Sequence, residues 1–167
     1  MILTLYQPKM EELTFRQKLL ADPGTMTYNH AYGGVIDFPP ERWAEWYERW
    51  INCTDGSHFY RYLRTTDEGK FVGGAAYHRD EARGMWLCDI LVLSDYRGRW
   101  YGSQGLELLC AVARANGIEL LHDDIAADNP AVEMFLRHGF QIVERTPESI
   151  LVRKDLLLHR RGREQGL

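Results

Sequence analysis

Three groups of residues in this chain have the types and spacing that could do chemistry. The first is DYRGRWYGSQG, Asp95 to Gly105, which follows the apolar run MWLCDILVL and opens into an apolar helical pattern. Glycines at a helix start let backbone N–H groups come close to an anion, and the positive end of the helix dipole favours negative charge there. Arg97 and Arg99 would add charge-assisted donors. Taken alone, the same residues also read as a surface turn with two solvated arginines. The second group is a set of carboxylates inside strand-like runs: Asp89 in MWLCDILVL, and Asp123 with Asp124 in LLHDDIA. A carboxylate among apolar residues is either paired or functional. By strand alternation Asp123 and Asp124 face opposite sides of a sheet, so at most one can enter a given site. The third group is aromatic. Trp43, Trp46, Tyr47 and Trp50 share one helical face, which reads as core packing or as an aromatic wall for a cation.

The elements that must position these groups can be read from periodicity and punctuation. ILTLYQ, residues 2–7, is a short strand, and Met10 to Leu20 a helix closed by the Asp22-Pro23-Gly24 turn. TMTYNHAYGG, 25–34, is a loop that brings Tyr28, Asn29 and His30 together. Pro39 and Pro40 open a second helix, where proline costs little. Strands over 58–65, 70–79 and 85–93, with short connections, make two hairpins. A helix over 102–115 ends at Gly117, and a strand follows over 118–126. A short helix over 129–138, capped by Asn129, stops at Gly139 and gives way to a final hairpin. The order is β-α-α-βββ-α-β-α-ββ, an α/β domain of the α+β type with a mixed, mostly antiparallel sheet flanked by helices. A single domain over 1–157 and a polar, basic tail over 158–167 account for the chain.

Two familiar phosphate loops are excluded. No GxxxxGK[ST] run exists, and Gly98, Gly102 and Gly105 are spaced wrongly for a dinucleotide fingerprint. A third pattern fits better. Arg97-Gly98-Arg99-Trp100-Tyr101-Gly102 after a strand, followed by DNPAVEMFLRHGF, resembles the two signatures of the GNAT superfamily of N-acetyltransferases. Arg97 and Gly102 match the first and last positions of [QR]-x-x-G-x-[GA]. Asn129, Gly139 and Phe140 match the second signature, with Phe135 at its tyrosine. Trp100 stands where the family has a glycine. The 129–140 segment is one residue short, so Asp128 competes with Asn129 for the asparagine position.

The resemblance implies acetyl-CoA as co-substrate and a primary amine, on a small molecule or peptide, as acceptor. The amine would attack directly in a ternary complex. It places the pantetheine arm along Leu91, Val92 and Leu93, and the pyrophosphate at Arg97, Gly98, Arg99, Trp100, Tyr101, Gly102 and Ser103. Asn129 would contact the arm, Phe135 would lie near the thioester and Arg137 would meet a phosphate. A protonated amine has a pKa of about 10.4, so a base is needed; the resemblance favours Asp89 and Asp124. Tyr28, Asn29, His30, Trp43 and Trp46 would shape the acceptor site. Trp100 is expected to keep a negative φ, with its indole on the outer side of the loop. Because Trp100 and Phe135 depart at functional positions, a non-catalytic acyl-CoA-binding or regulatory domain is the second reading. An α/β domain without a CoA site is the third.

Composition narrows the rest. The chain has 167 residues and a net charge of −4, which disfavours a nucleic-acid binder. No signal peptide, membrane span or metal-ligand spacing is apparent, and the three cysteines are scattered, so a cytoplasmic protein without a bound metal is expected. The sequence leaves monomer and homodimer both open.

Overall fold

The computed structural model describes residues 2–30 and 33–157. The basic tail expected over 158–167 lies outside the described residues. Seven strands form one sheet in the order β1-β2-β3-β4-β5-β7-β6. They are β1 (Leu3–Tyr6), β2 (His58–Thr65), β3 (Phe71–Asp80), β4 (Met85–Val92), β5 (Leu120–Ala126), β6 (Gln141–Arg145) and β7 (Ser149–Asp155). Four helices flank it: α1 (Leu13–Ala21), α2 (Trp43–Trp50), α3 (Tyr101–Ala115) and α4 (Ala131–Arg137). Element order and sheet character agree with those read from the sequence. Among the described residues no helix is long and apolar enough to cross a membrane.

Strand alternation divides the apolar residues between two faces. One face carries Leu63, Val72, Ala75, Tyr77 and Cys88, which pack with Leu106, Leu109 and Ala113 of α3 and Phe135 of α4. The other carries Tyr60, Tyr62, Ala76 and Leu91, which meet α1 and α2. The stripe on α2 goes to this second face. Trp43 donates its indole N–H to the Phe38 carbonyl (3.0 Å), and Tyr47 donates its hydroxyl to the Pro8 carbonyl (2.7 Å).

All neighbouring strands pair antiparallel except β4 and β5, which run parallel. That pair is joined only at Trp86–Leu121 and Leu87–His122. Beyond Leu87 the two strands part, and each continues paired on its far side, β4 with β3 and β5 with β7. A gap therefore opens in the middle of the sheet, flanked by Asp89–Leu93 on one side and Asp123–Ala126 on the other. Gly73 of β3 supports the parting strand at close range. A Cβ at this position would lie 2.2 Å from the Leu91 carbonyl oxygen. Replacing Gly73 by alanine forces that carbonyl to move. It should cost about 1–3 kcal/mol of stability, read from urea denaturation.

Candidate functional site at the gap in the sheet

The loop after β4 turns at Ser94–Tyr96 and then enters α3 at Tyr101. The N–H groups of Tyr101, Gly102 and Ser103 stand in the first turn of this helix, where no intrahelical acceptor exists. Gly98 has a φ of 78°, and open space surrounds the direction a Cβ would take. Gly102 lies against Met134 and Val92, with Met134 Sδ at 3.2 Å from an added Cβ. An exposed bend of bare backbone thus leads into a helix N-terminus, and it fits an anionic pyrophosphate.

Trp100 corrects one expectation and agrees with another. Its φ is 66°, in the left-handed region rather than negative. It is the only such non-glycine among the described residues. The loop keeps the conformation a glycine would adopt, and the tryptophan bears the strain. The indole does point outward, being 70 % exposed. The Arg137 guanidinium lies 6.0 Å from its ring centroid.

Arg97 also has a different role from the one expected. Its guanidinium donates to the carbonyls of Gly24 (3.0 Å) and Thr25 (2.8 Å), so it braces the loop after α1. Asp22 completes this brace. It accepts from the Ser94 hydroxyl (2.6 Å) and from the Thr25 backbone N–H (3.1 Å). These hydrogen bonds, that of Ser94 foremost, pull its carboxyl down to about 2. The same loop reaches the other rim of the gap, where His30 meets Asp128 at 3.2 Å. Asn29 is occupied inside the loop, donating to the Gly34 carbonyl (2.6 Å), and the Tyr28 ring stands edge-on to His30.

The remaining cofactor positions separate by burial. The side chain of Leu93 is buried and that of Leu91 packs on the α1 cluster, so only their backbones can face the gap. Asn129 caps α4 by accepting from the Ala131 N–H (2.9 Å). Phe135 is only 2 % exposed and stands edge-on to Phe140, so it fills the core instead of lining an open site. Ser103 is bonded to His138 of the α4 C-terminus (2.9 Å). Sequence reading had no signal for His138, because the contact joins two helices.

The carboxylates sort differently from the sequence expectation. Asp124 is exposed and ion-paired with Arg83 (3.0 Å), which also binds Asp80 (2.9 Å). The carboxylate that feels Asp89 is Asp123, on the facing strand. Asp89 is exposed, and protein atoms crowd its carboxyl. Enclosure pushes its carboxyl up, while Arg16 and His78 hold it partly down. Asp123 is pushed up further, first by enclosure and then by the Asp89 charge.

Arg16, which the sequence did not single out, completes this face. Its guanidinium stacks on Trp46, Phe38 and Tyr60 at 4.4, 4.7 and 5.3 Å. The cation against the aromatic face is thus the chain's own. Trp43 packs against Phe38 at the edge of this group. Gly74 leaves room for the Tyr60 ring, whose hydroxyl would lie 2.4 Å from a Cβ there. A separate cavity of about 330 Å³, lined by Trp50, His58, Arg61, Tyr77, Trp86 and Asn116, contains none of the expected site residues. Among the described residues no cluster of three or more His, Cys, Asp or Glu could hold a metal ion.

Comparison with known proteins speaks to the family and the fold. The family model described as "Acetyltransferase (GNAT) family" matches residues 24–140. No curated protein sequence matches significantly. Among solved structures, a chimeric spermidine N-acetyltransferase from Vibrio cholerae and hSSAT superposes with a TM-score of 0.73 at 13% identity, over 93% of this chain and 96% of that one. An N-acetyltransferase from Staphylococcus aureus Mu50 gives 0.70 at 18% identity, over 92% and 98%. A ribosomal-protein-alanine N-acetyltransferase from Brucella melitensis gives 0.71 at 20%, over 91% and 99%. At these identities the structural likeness speaks for the fold.

Two predictions follow from the strained loop and the enclosed carboxylates. Trp100→Gly removes a left-handed non-glycine residue, so it should raise stability by up to about 1 kcal/mol, seen as a higher Tm. For Asp123 the folded state favours the protonated form, so ionisation costs stability. As pH rises above about 4, the usual carboxylate value, the wild-type chain should lose stability relative to Asp123→Asn. The difference should vanish below that pH, as measured by urea unfolding across a pH series.

Proposed function

Because the chain belongs to the GNAT acetyltransferase family and is an N-acetyltransferase, we propose that it acetylates the primary amine of a small molecule or peptide by direct attack in a ternary complex. The gap between β4 and β5 carries this reading: it joins a helix N-terminus with free N–H groups on one side to a carboxylate of raised pKa on the other. Acetyl-CoA supplies an activated thioester carbonyl.

The residues of the chain fit such a co-substrate. The N–H groups from Gly98 to Ser103 would bind the pyrophosphate, with Arg137 and Arg99 exposed beside it. The backbone of Leu91 to Leu93 would hold the pantetheine arm, because beyond Leu87 the edge of β4 that faces β5 has no strand partner. The Asn129 amide nitrogen remains to donate to the arm.

Asp89 is assigned as the base. Its carboxylate lies on the α1/α2 face, opposite the side on which α3 stands, so the amine and the thioester meet through the gap. Its raised pKa makes it a stronger proton acceptor than an ordinary aspartate. Asp124, held by Arg83, is set aside in this assignment. Asp123 would keep a proton and so spare Asp89 the repulsion of a second charge. Phe135 has no proton to give, and the departing thiolate, whose conjugate thiol has a pKa of about 8.5, would take one from water.

Incubation of the chain with acetyl-CoA and a library of amines tests the proposal through release of free thiol. Turnover is expected. Binding of acetyl-CoA by calorimetry with no turnover of any amine would favour the non-catalytic reading instead. Asp89→Asn should lower kcat/KM by about 10²–10⁴ while acetyl-CoA binding persists. In the wild type the acid limb of kcat/KM should lie above the usual aspartate value, because activity requires Asp89 ionised and its pKa is raised.

A further inference from the structure

Arg16 is placed where a structural arginine would be poorly served. It projects from α1 into a box formed by Phe38, Trp46 and Tyr60. The ring faces satisfy its positive charge through the π-clouds, but they offer nothing to N–H groups in the guanidinium plane. Its Nε is buried without a hydrogen-bond partner. Among the described residues no carboxylate oxygen lies within 4.0 Å of the guanidinium. The arginine is thus held by stacking, and among the described residues its guanidinium makes no hydrogen bond to the protein.

Asp89 lies on the same face of the sheet, and Arg16 draws its carboxyl down without touching it. Tyr60 stands between the two influences. It is buried, its hydroxyl is pushed up to about 12, and it feels Arg16 and Asp89 with opposite sign. The acceptor face therefore presents a fixed cation and a fixed anion that do not neutralise each other by contact. Such a pair is complementary to a molecule that carries an amine and an oxyanion together.

We propose that Arg16 is the carboxylate-recognition residue of the acceptor site, and that the acceptor is an amino-acid-like amine. The carboxylate of the acceptor docks on the guanidinium fork and its amine faces Asp89. This rests on the acetyltransferase reading and narrows its acceptor. A rigid bidentate fork selects a planar oxyanion. The same guanidinium repels a second ammonium, which disfavours polyamines. The box also excludes a substrate cation from the aromatic face, since Arg16 fills it.

The test compares free amino acids with the amines formed by removing their carboxylate, and with spermidine, as acceptors in the thiol-release assay. Amino acids should exceed their decarboxylated partners by about 100-fold or more in kcat/KM, since an unmatched buried charge is costly. Arg16→Met should collapse that ratio towards one, mainly through KM, while CoA still raises its Tm as in the wild type. Arg16→Lys should recover part of the ratio, keeping the charge but losing the fork. Equal or better turnover of decarboxylated amines or spermidine by the wild type would overturn the inference and leave the acetyltransferase reading standing. So would an unchanged ratio in Arg16→Met. Absence of turnover with every amine would overturn both. The wild-type ratio tests the acceptor class even if the variants do not fold, and Arg16→Lys tests the residue if Arg16→Met does not.

Discussion

The structure depends on a sheet that is held together everywhere except at its centre. β4 and β5 share two residue pairs and then separate, although parallel neighbours would ordinarily stay in register. Separation leaves backbone groups on the inner edges without strand partners, which is costly unless water or a ligand takes them. Each half of the sheet offsets this from outside. β4 pairs along its whole length with β3, and β5 pairs along its whole length with β7. Two packed faces then fix the angle between the halves. α3 and α4 bury Leu106, Leu109 and Phe135 on one side, and α1 and α2 bury Leu13, Leu20 and Phe38 on the other.

On the proposed reading this arrangement separates two tasks that would interfere if they shared one surface. The α3 side offers bare backbone N–H groups, and it suits a polyanion. The α1/α2 side offers Asp89, Arg16 and aromatic rings, and it suits a smaller polar molecule. On the proposed reading the gap lets the two meet. Asp89, exposed and yet crowded by protein atoms, lies beside it.

Much of the frame was legible in the chain because it depends on local rules. Alternation revealed β2 to β4, the glycine after Ala115 revealed the end of α3, and Asn129 with Pro130 revealed the start of α4. What stayed hidden depends on contacts between distant segments. The φ of Trp100 is imposed by the loop's two ends, so the ordinary preference of tryptophan did not govern it. Arg97 sits in a motif that suggests an anion, yet two carbonyls some seventy positions earlier claim its guanidinium. Alternation placed Asp123 and Asp124 on opposite faces but could not show that Arg83, on the β3–β4 turn, would take Asp124 in an ion pair. Arg16 looked like any polar residue of a helix. Only Phe38, Trp46 and Tyr60, drawn from a loop, a helix and a strand, make it distinctive.

The brace of Asp22, Thr25, Ser94 and Arg97 joins the loop after α1 to the turn that follows β4. The same loop touches Asp128 on the far rim. On the proposed reading this segment borders both binding regions at once. Any adjustment that one ligand makes to it is felt by the other, and thermodynamic linkage requires the influence to be equal in both directions. Affinity for the acceptor and affinity for the co-substrate then cease to be independent properties. They would be two readings of one coupling energy, with these four residues as its route.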